Sequence, residues 1–240
     1  MSLTYALIAH ANAFLNAGEP MPDWVHLPEN GYLYHDFGLF WNRSVRFATP
    51  QTWADWLKSR DVARVRFFKG VQENPHKFEK MGILTEGPLH RMLWSPRGES
   101  AHGSGGYATH FVCRGEDLDR REQCLSATID EAELEFQRAN QALVENLRKR
   151  EMNDWADHFS KGLTILENEY VPTLEVEKIF PRIEYSDRAR RLFSAFCASS
   201  GFKDGVDFYR DRTWVVPEPE WSDRCHADWL AIVAALNSYP

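Results

Sequence analysis

The prevailing period of the hydrophobic residues shifts near the middle of this chain, and that shift restricts its fold class more than any other feature. From about residue 32 to residue 114, most apolar residues come in short runs rich in aromatic and β-branched side chains. The runs are Tyr32–Asp36, Leu39–Phe47, Val62–Phe68, Leu89–Trp94 and Tyr107–Cys113. From Thr128 onward they recur every three or four positions instead: Ile129, Ala132, Phe136, Ala139, Leu143, Leu147, then Trp155, Phe159, Leu163 and Leu166. The first pattern suits strands and the second amphipathic helices. Strands gathered in one half and helices in the other predict an α+β fold rather than an alternating βαβ one. The expected architecture is a mixed or antiparallel sheet, mainly from the N-terminal half, packed against a helix-rich C-terminal half. The boundary falls near residue 125, giving a strand-rich part over 1–125 and a helix-rich part over 126–240. No flexible linker separates them, so the two parts are expected to pack as one globular unit.

Local signals sharpen the elements. Thr4–Ala17 reads as a helix stopped by Gly18 and Pro20. Thr49-Pro50 supplies an N-cap and a first-turn proline for a short helix carrying Trp53, Trp56 and Leu57 on one face. Thr128-Ile129-Asp130-Glu131 is a capping box, and Arg148, Lys149 and Arg150 close the run that it opens, as the helix dipole favours. A break near Asn153 leaves a helical hairpin and a single bent helix both open. Thr173–Phe180 alternates like a half-exposed strand. Ser186 caps a helix with Ala189, Leu192, Phe193 and Phe196 inward and Gly201 at its end, and Asp207–Val216 holds a short strand. Ser222 opens a last helix with Cys225, Trp229, Ile232 and Leu236 inward.

Charge and cysteine usage narrow the function classes. A net charge of −7 argues against a protein that coats nucleic acid, which needs Lys and Arg to neutralise phosphates. The charge is uneven, however: residues 51–100 hold nine basic and six acidic side chains, a local net of +3. Cys113, Cys124, Cys197 and Cys225 show no zinc-knuckle or CxxC spacing and are expected to be free thiols in a reducing compartment. The apolar N-terminal segment lacks a basic lead and is interrupted by His10 and Asn12, so it reads as a core helix rather than a signal peptide. No stretch approaches the roughly 18 apolar residues that span a bilayer. The expected setting is cytoplasmic, with no membrane partner.

Several motifs come close to chemistry without completing it. Gly103-Ser104-Gly105-Gly106-Tyr107-Ala108 fits GxGxxA in letters, but a β-like run follows where a dinucleotide site needs a helix, so no cofactor is expected. His102-Gly103-Ser104-Gly105-Gly106 has His where the GxSxG elbow needs Gly. His90, His102 and His110 lie on or between the runs that flank this Gly-rich loop. Hairpin pairing there would gather three imidazoles suited to proton transfer or metal binding, although no ligand set is assigned. Asp154 and His158 share a helix face, and Cys225-His226 lies near Asp223. Local pairing and packing explain both sets without a site.

The basic region offers a different chemistry. Arg64 and Arg66 share a strand face, followed by Phe67, Phe68 and Lys69, and later by Lys77, Phe78, Lys80, Arg91, Trp94 and Arg97. Cations interleaved with aromatics suit phosphate contact with base stacking, and equally an acidic protein partner. With no complete catalytic motif, the reading is a non-enzymatic binding subunit. It would contact a protein first, or a nucleic acid second, through Arg64, Arg66, Lys69, Arg91, Trp94 and Arg97. The alternative is a small His- or metal-dependent hydrolase or nuclease with His90, His102 and His110 as its catalytic groups.

Overall fold

The computed structural model describes residues 2–22, 37–41, 45–47, 49–70, 81–88, 91–100, 107–117, 124–168, 180, 185–200, 202–203, 206–207 and 218–239. The chain divides into two compact units, Met1–Leu125 and Ser126–Pro240. The fold class is α+β, with the large sheet in the first unit and most of the helix in the second.

In the first unit, α1 (Ser2–Ala17) is buried along most of its length, from Tyr5 to Phe14. It ends where Gly18, at φ 76°, donates its N–H to the Phe14 carbonyl (3.0 Å), a left-handed step that costs glycine little. Strands β1 (Phe37–Trp41) and β2 (Val45–Phe47) precede α2 (Pro50–Ser59), which Thr49 and Thr52 cap reciprocally. Then come β3 (Arg64–Lys69), β4 (Met81–Glu86), β5 (Arg91–Ser100) and β6 (Tyr107–Asp117). The sheet order is β2-β1-β6-β5-β4-β3, and it is mixed: β1 runs parallel to β6 while every other neighbour is antiparallel.

Two features of this sheet depart from the sequence reading. β4 was not foreseen, because its Met-Gly-Ile-Leu-Thr-Glu run neither alternates nor carries many β-branched residues. Gly82 within it has a reason to be glycine, since a Cβ there would overlap the Trp94 carbonyl on β5. β5 also continues to Ser100, through residues expected to begin a loop at Ser95. Among the described residues its pairing with β4 reaches only Trp94, so Pro96, which lacks an N–H, is paired there only through β6, opposite Phe111. The rest of the expected loop, 101–106, lies outside the described residues.

Strand alternation sorts the side chains of β3 to β5 onto two faces. On one face Val65, Phe67, Ile83, Thr85, Met92 and Trp94 are all buried. Trp94 sits among the rings of Phe47, Trp53 and Trp56, with centroids 6.2, 5.8 and 5.8 Å away, so α2 covers this face. At the sheet edge, the buried Asn12 of α1 satisfies Val65 twice. Asn12 Nδ2 donates to the Val65 carbonyl (2.7 Å), and the Val65 N–H donates to Asn12 Oδ1 (2.9 Å). The Leu125 N–H donates to the Lys69 carbonyl (2.8 Å) further along the strand. Such contacts use up backbone groups that an open edge would offer to another chain.

The second unit contains α3 (Ile129–Lys149), α4 (Asn153–Glu167), α5 (Asp187–Ala198) and α6 (Glu218–Asn237), with a short hairpin of β7 (Phe202–Lys203) and β8 (Val206–Asp207). The Thr128–Glu131 capping box is present, and Ala132, Phe136, Ala139, Leu143 and Leu147 form the buried stripe as expected. α3 and α4 form a helical hairpin whose turn places Glu151 at φ 62°. Leu143, Val144, Leu147, Ala156, Phe159 and Trp221 make one core cluster. Ser186 caps α5 through the Ala189 N–H, while Gly201 lies outside the described residues. α6 begins at Glu218 rather than Ser222, because Pro219 is tolerated in a first turn where N–H groups have no helical partner. The strand expected over Thr173–Phe180 lies outside the described residues except for Phe180, and most of Asp207–Val216 lies outside them too.

Candidate binding site

The second face of β3 to β5 carries the basic residues singled out by the sequence. Register pairs Arg64 with Glu86, Arg66 with Leu84, Glu86 with Arg91, and Leu84 with Leu93. Cross-strand partners point the same way, so Arg64, Arg66, Glu86 and Arg91 form a polar cluster at one end of this face. At the other end Phe68 and Leu84 are buried, with Leu93 and Cys124 packed on them. Arg64 is half-buried, and the side chains of Arg66, Glu86 and Arg91 are 29%, 24% and 19% exposed, so the cluster is reachable yet held by its surroundings.

Its internal pairing is lopsided. The Arg91 Nε–H donates to Glu86 Oε1 at 3.0 Å. Arg66 approaches the other oxygen, Glu86 Oε2, only at 3.5 Å, beyond the normal N–H···O range. The Arg66 Nε is buried and has no hydrogen-bond partner among the described residues. A buried donor left without an acceptor costs about 1–3 kcal/mol. Two guanidiniums therefore share one carboxylate, and Arg91 takes the better half of it.

Other members of the expected site are placed differently. Trp94 is fully buried on the opposite face, where its Nε1–H donates to Thr85 Oγ1 (3.1 Å). Phe67, Phe68 and Lys69 are buried as well. None of these aromatics presents a ring to solvent on which a base could stack. The sequence could not separate them from surface residues, since strand-rich aromatics look alike whether they face water or core. Lys77, Phe78 and Lys80 lie outside the described residues.

The histidine hypothesis receives less from the register. His90 and His102 lie outside the described residues. His110 stands opposite Arg97 in the β5–β6 ladder. Arg97 is six residues from Arg91 at the start of β5, about 20 Å at ~3.3 Å per residue. Pairing therefore takes His110 to the far half of β5 from Arg91. Among the described residues, no three His, Cys, Asp or Glu side chains gather into a group that could hold a metal ion.

The second unit holds a polar centre that the sequence reading missed. Arg224 on α6 is fully buried between the rings of Phe136 and Phe159, its guanidinium carbon 4.9 and 5.6 Å from their centroids. Its Nε–H donates to Asn140 Oδ1 (2.7 Å), and one terminal nitrogen donates to the Ser199 carbonyl (2.7 Å) and Oγ (3.0 Å). Asp228, one turn further along α6, completes an ion pair with it. Nearby, His158 is buried and its Nε2–H donates to the Ser200 carbonyl (2.7 Å), while Asp154 is exposed. The available signal was an i,i+4 Arg–Asp pair in a helix otherwise dominated by apolar residues. The partners named here lie on or at the ends of α3, α4, α5 and α6, so this centre ties these helices together. Cys225 likewise packs on the core cluster, and Asp223 pairs with Arg138 (3.5 Å).

The acidic start of α3 is partly neutralised. Arg188 bridges Asp130 (2.6 Å) and Glu133 (2.5 Å), and those carboxylates push its guanidinium above its usual range. No helix among the described residues is long and apolar enough to cross a membrane. No family model, no curated protein and no solved structure matches this chain.

Proposed function

We propose that this chain is a non-enzymatic binding subunit that contacts a protein partner through the Arg64, Arg66, Glu86 and Arg91 end of the β3–β5 sheet. One observation supports a protein over a nucleic acid. The cations of the cluster stay half-exposed, while Phe67, Phe68 and Trp94, which would have stacked on bases, are consumed by the core. Sequence-tolerant binding of single strands depends on both elements.

The test compares the full chain with an Arg64→Ala, Arg66→Ala double variant. A protein recovered from extract by the wild type, resistant to nuclease, lost with the double variant and bound again after purification would support the reading. Single- and double-stranded nucleic acids, titrated at two salt concentrations, should show no binding at low salt. Tight nucleic-acid binding that weakens steeply with salt, with a slope reduced by about one for each arginine removed, would refute it.

A further inference from the structure

We infer that Arg66 is a receptor for a carboxylate from an acidic protein segment, and that Glu86 occupies its place at rest as an internal competitor. This rests on the binding-subunit reading above and names the chemistry of the partner. Arg66 carries five N–H donors in a planar fork, whose best match is a carboxylate met by two parallel hydrogen bonds. Glu86 does not supply that match. It is hydrogen-bonded to Arg91 at 3.0 Å and stands 3.5 Å from Arg66, and the Arg66 Nε remains buried with no hydrogen-bond partner among the described residues. Among the described groups, Arg66 and Arg91 are therefore one carboxylate short.

An Asp or Glu side chain arriving from outside would reach the exposed part of Arg66, which retains 29% of its side-chain surface. A small turn of the guanidinium would then bring Nε and a terminal nitrogen side by side onto the new carboxylate. Glu86 would be left wholly to Arg91. No bond forms or breaks in this exchange; a loose ion pair is replaced by a bidentate one. Charge complementarity commits the site to an acidic segment, because among the described groups the guanidiniums of Arg66 and Arg91 face the one carboxylate of Glu86 in a half-buried setting. The buried aromatics argue against a nucleic-acid strand as the occupant.

The probe is a poly-glutamate peptide, titrated by fluorescence anisotropy against the full chain at low salt, with a single-stranded oligonucleotide in parallel. Glu86→Gln removes the competing charge and should tighten peptide binding about two- to fivefold, the scale of one partly exposed charge pair. Arg66→Ala should weaken it at least as much. Arg66→Lys keeps the charge but loses the fork and should bind nearly as poorly as Arg66→Ala, which tests the inference even if the Glu86 variant folds badly.

Each other outcome has a meaning. Peptide binding that needs Arg66 but is unchanged or weakened by Glu86→Gln would overturn the competitor role and leave the binding reading standing. Full binding by Arg66→Lys would show diffuse attraction without a carboxylate receptor. No peptide binding by either the wild type or Glu86→Gln would overturn the inference, and the extract experiment then decides whether the broader reading survives. Tighter binding of the oligonucleotide than of the peptide, through the same residues, would overturn both.

Discussion

Removing the Arg224 side chain should be among the most damaging single changes in the second unit. In Arg224→Ala, Asp228 keeps its carboxylate in a place where its side chain is only 11% exposed, and its cation is gone. Asn140 Oδ1 and the Ser199 carbonyl lose their donor together, and the space between Phe136 and Phe159 empties. Stripping one member from a buried ion pair costs about 3–5 kcal/mol, mostly because the other is left uncompensated. Replacing both charges tests that origin. In an Arg224→Met, Asp228→Leu double variant no charge is stranded, and apolar replacement of a buried pair is often neutral or better. The lost hydrogen bonds to Asn140 and Ser199 remain, at about 1 kcal/mol each. The double variant should therefore lose only about 1–3 kcal/mol and be more stable than Arg224→Ala alone. Urea denaturation, read by hydrogen exchange in peptides from residues 129–168, isolates this unit from the other. A loss below about 0.5 kcal/mol for Arg224→Ala, or a double variant less stable than the single one, would refute the reasoning.

Three further outcomes follow from the packing. Phe136→Ala should cost about 3–5 kcal/mol, the range for a buried aromatic, and the same exchange experiment reads it; an unchanged midpoint would mean the α3 face does not bear on the core. Gly82→Ala would force a methyl group against the Trp94 carbonyl, so it should cost about 1–3 kcal/mol and raise exchange in β4 and β5 selectively. The Thr128 N–H, and then its hydroxyl, donate to Glu131 and hold its carboxyl below the usual value of 4.5. Its stabilising effect is thus complete above the unfolded pKa and is lost as pH falls through the lower, folded value. Glu131→Gln should flatten that part of the acid limb in a plot of urea midpoint against pH, and an identical limb in the variant would show that the cap does not titrate with folding.

Local chemistry determined much of this protein directly from its sequence. The Thr128 capping box, the apolar stripe of α3, the Thr49-Pro50 start of α2 and the Ser186 cap of α5 each depend on residues within a turn or two, so short windows revealed them. The α+β class followed from the change of period near residue 125. What the tertiary structure alone decided concerns pairing across long stretches of chain. Whether Trp94 faces water or Trp53, and whether β5 stops at Ser95 or continues beside β6, depends on strand register, to which no local pattern gives access. The same holds for the polar groups. Arg64 and Arg66 were legible as a shared face, but Glu86 joins them only because β4 lies between β3 and β5, and β4 itself was hidden by Gly82 and a short, non-alternating run. Arg224 looked like any surface arginine until Asn140, 84 residues away, and Ser199 closed around it. Burial of a charge is decided by which partners the fold can bring to it, and those partners come from other helices.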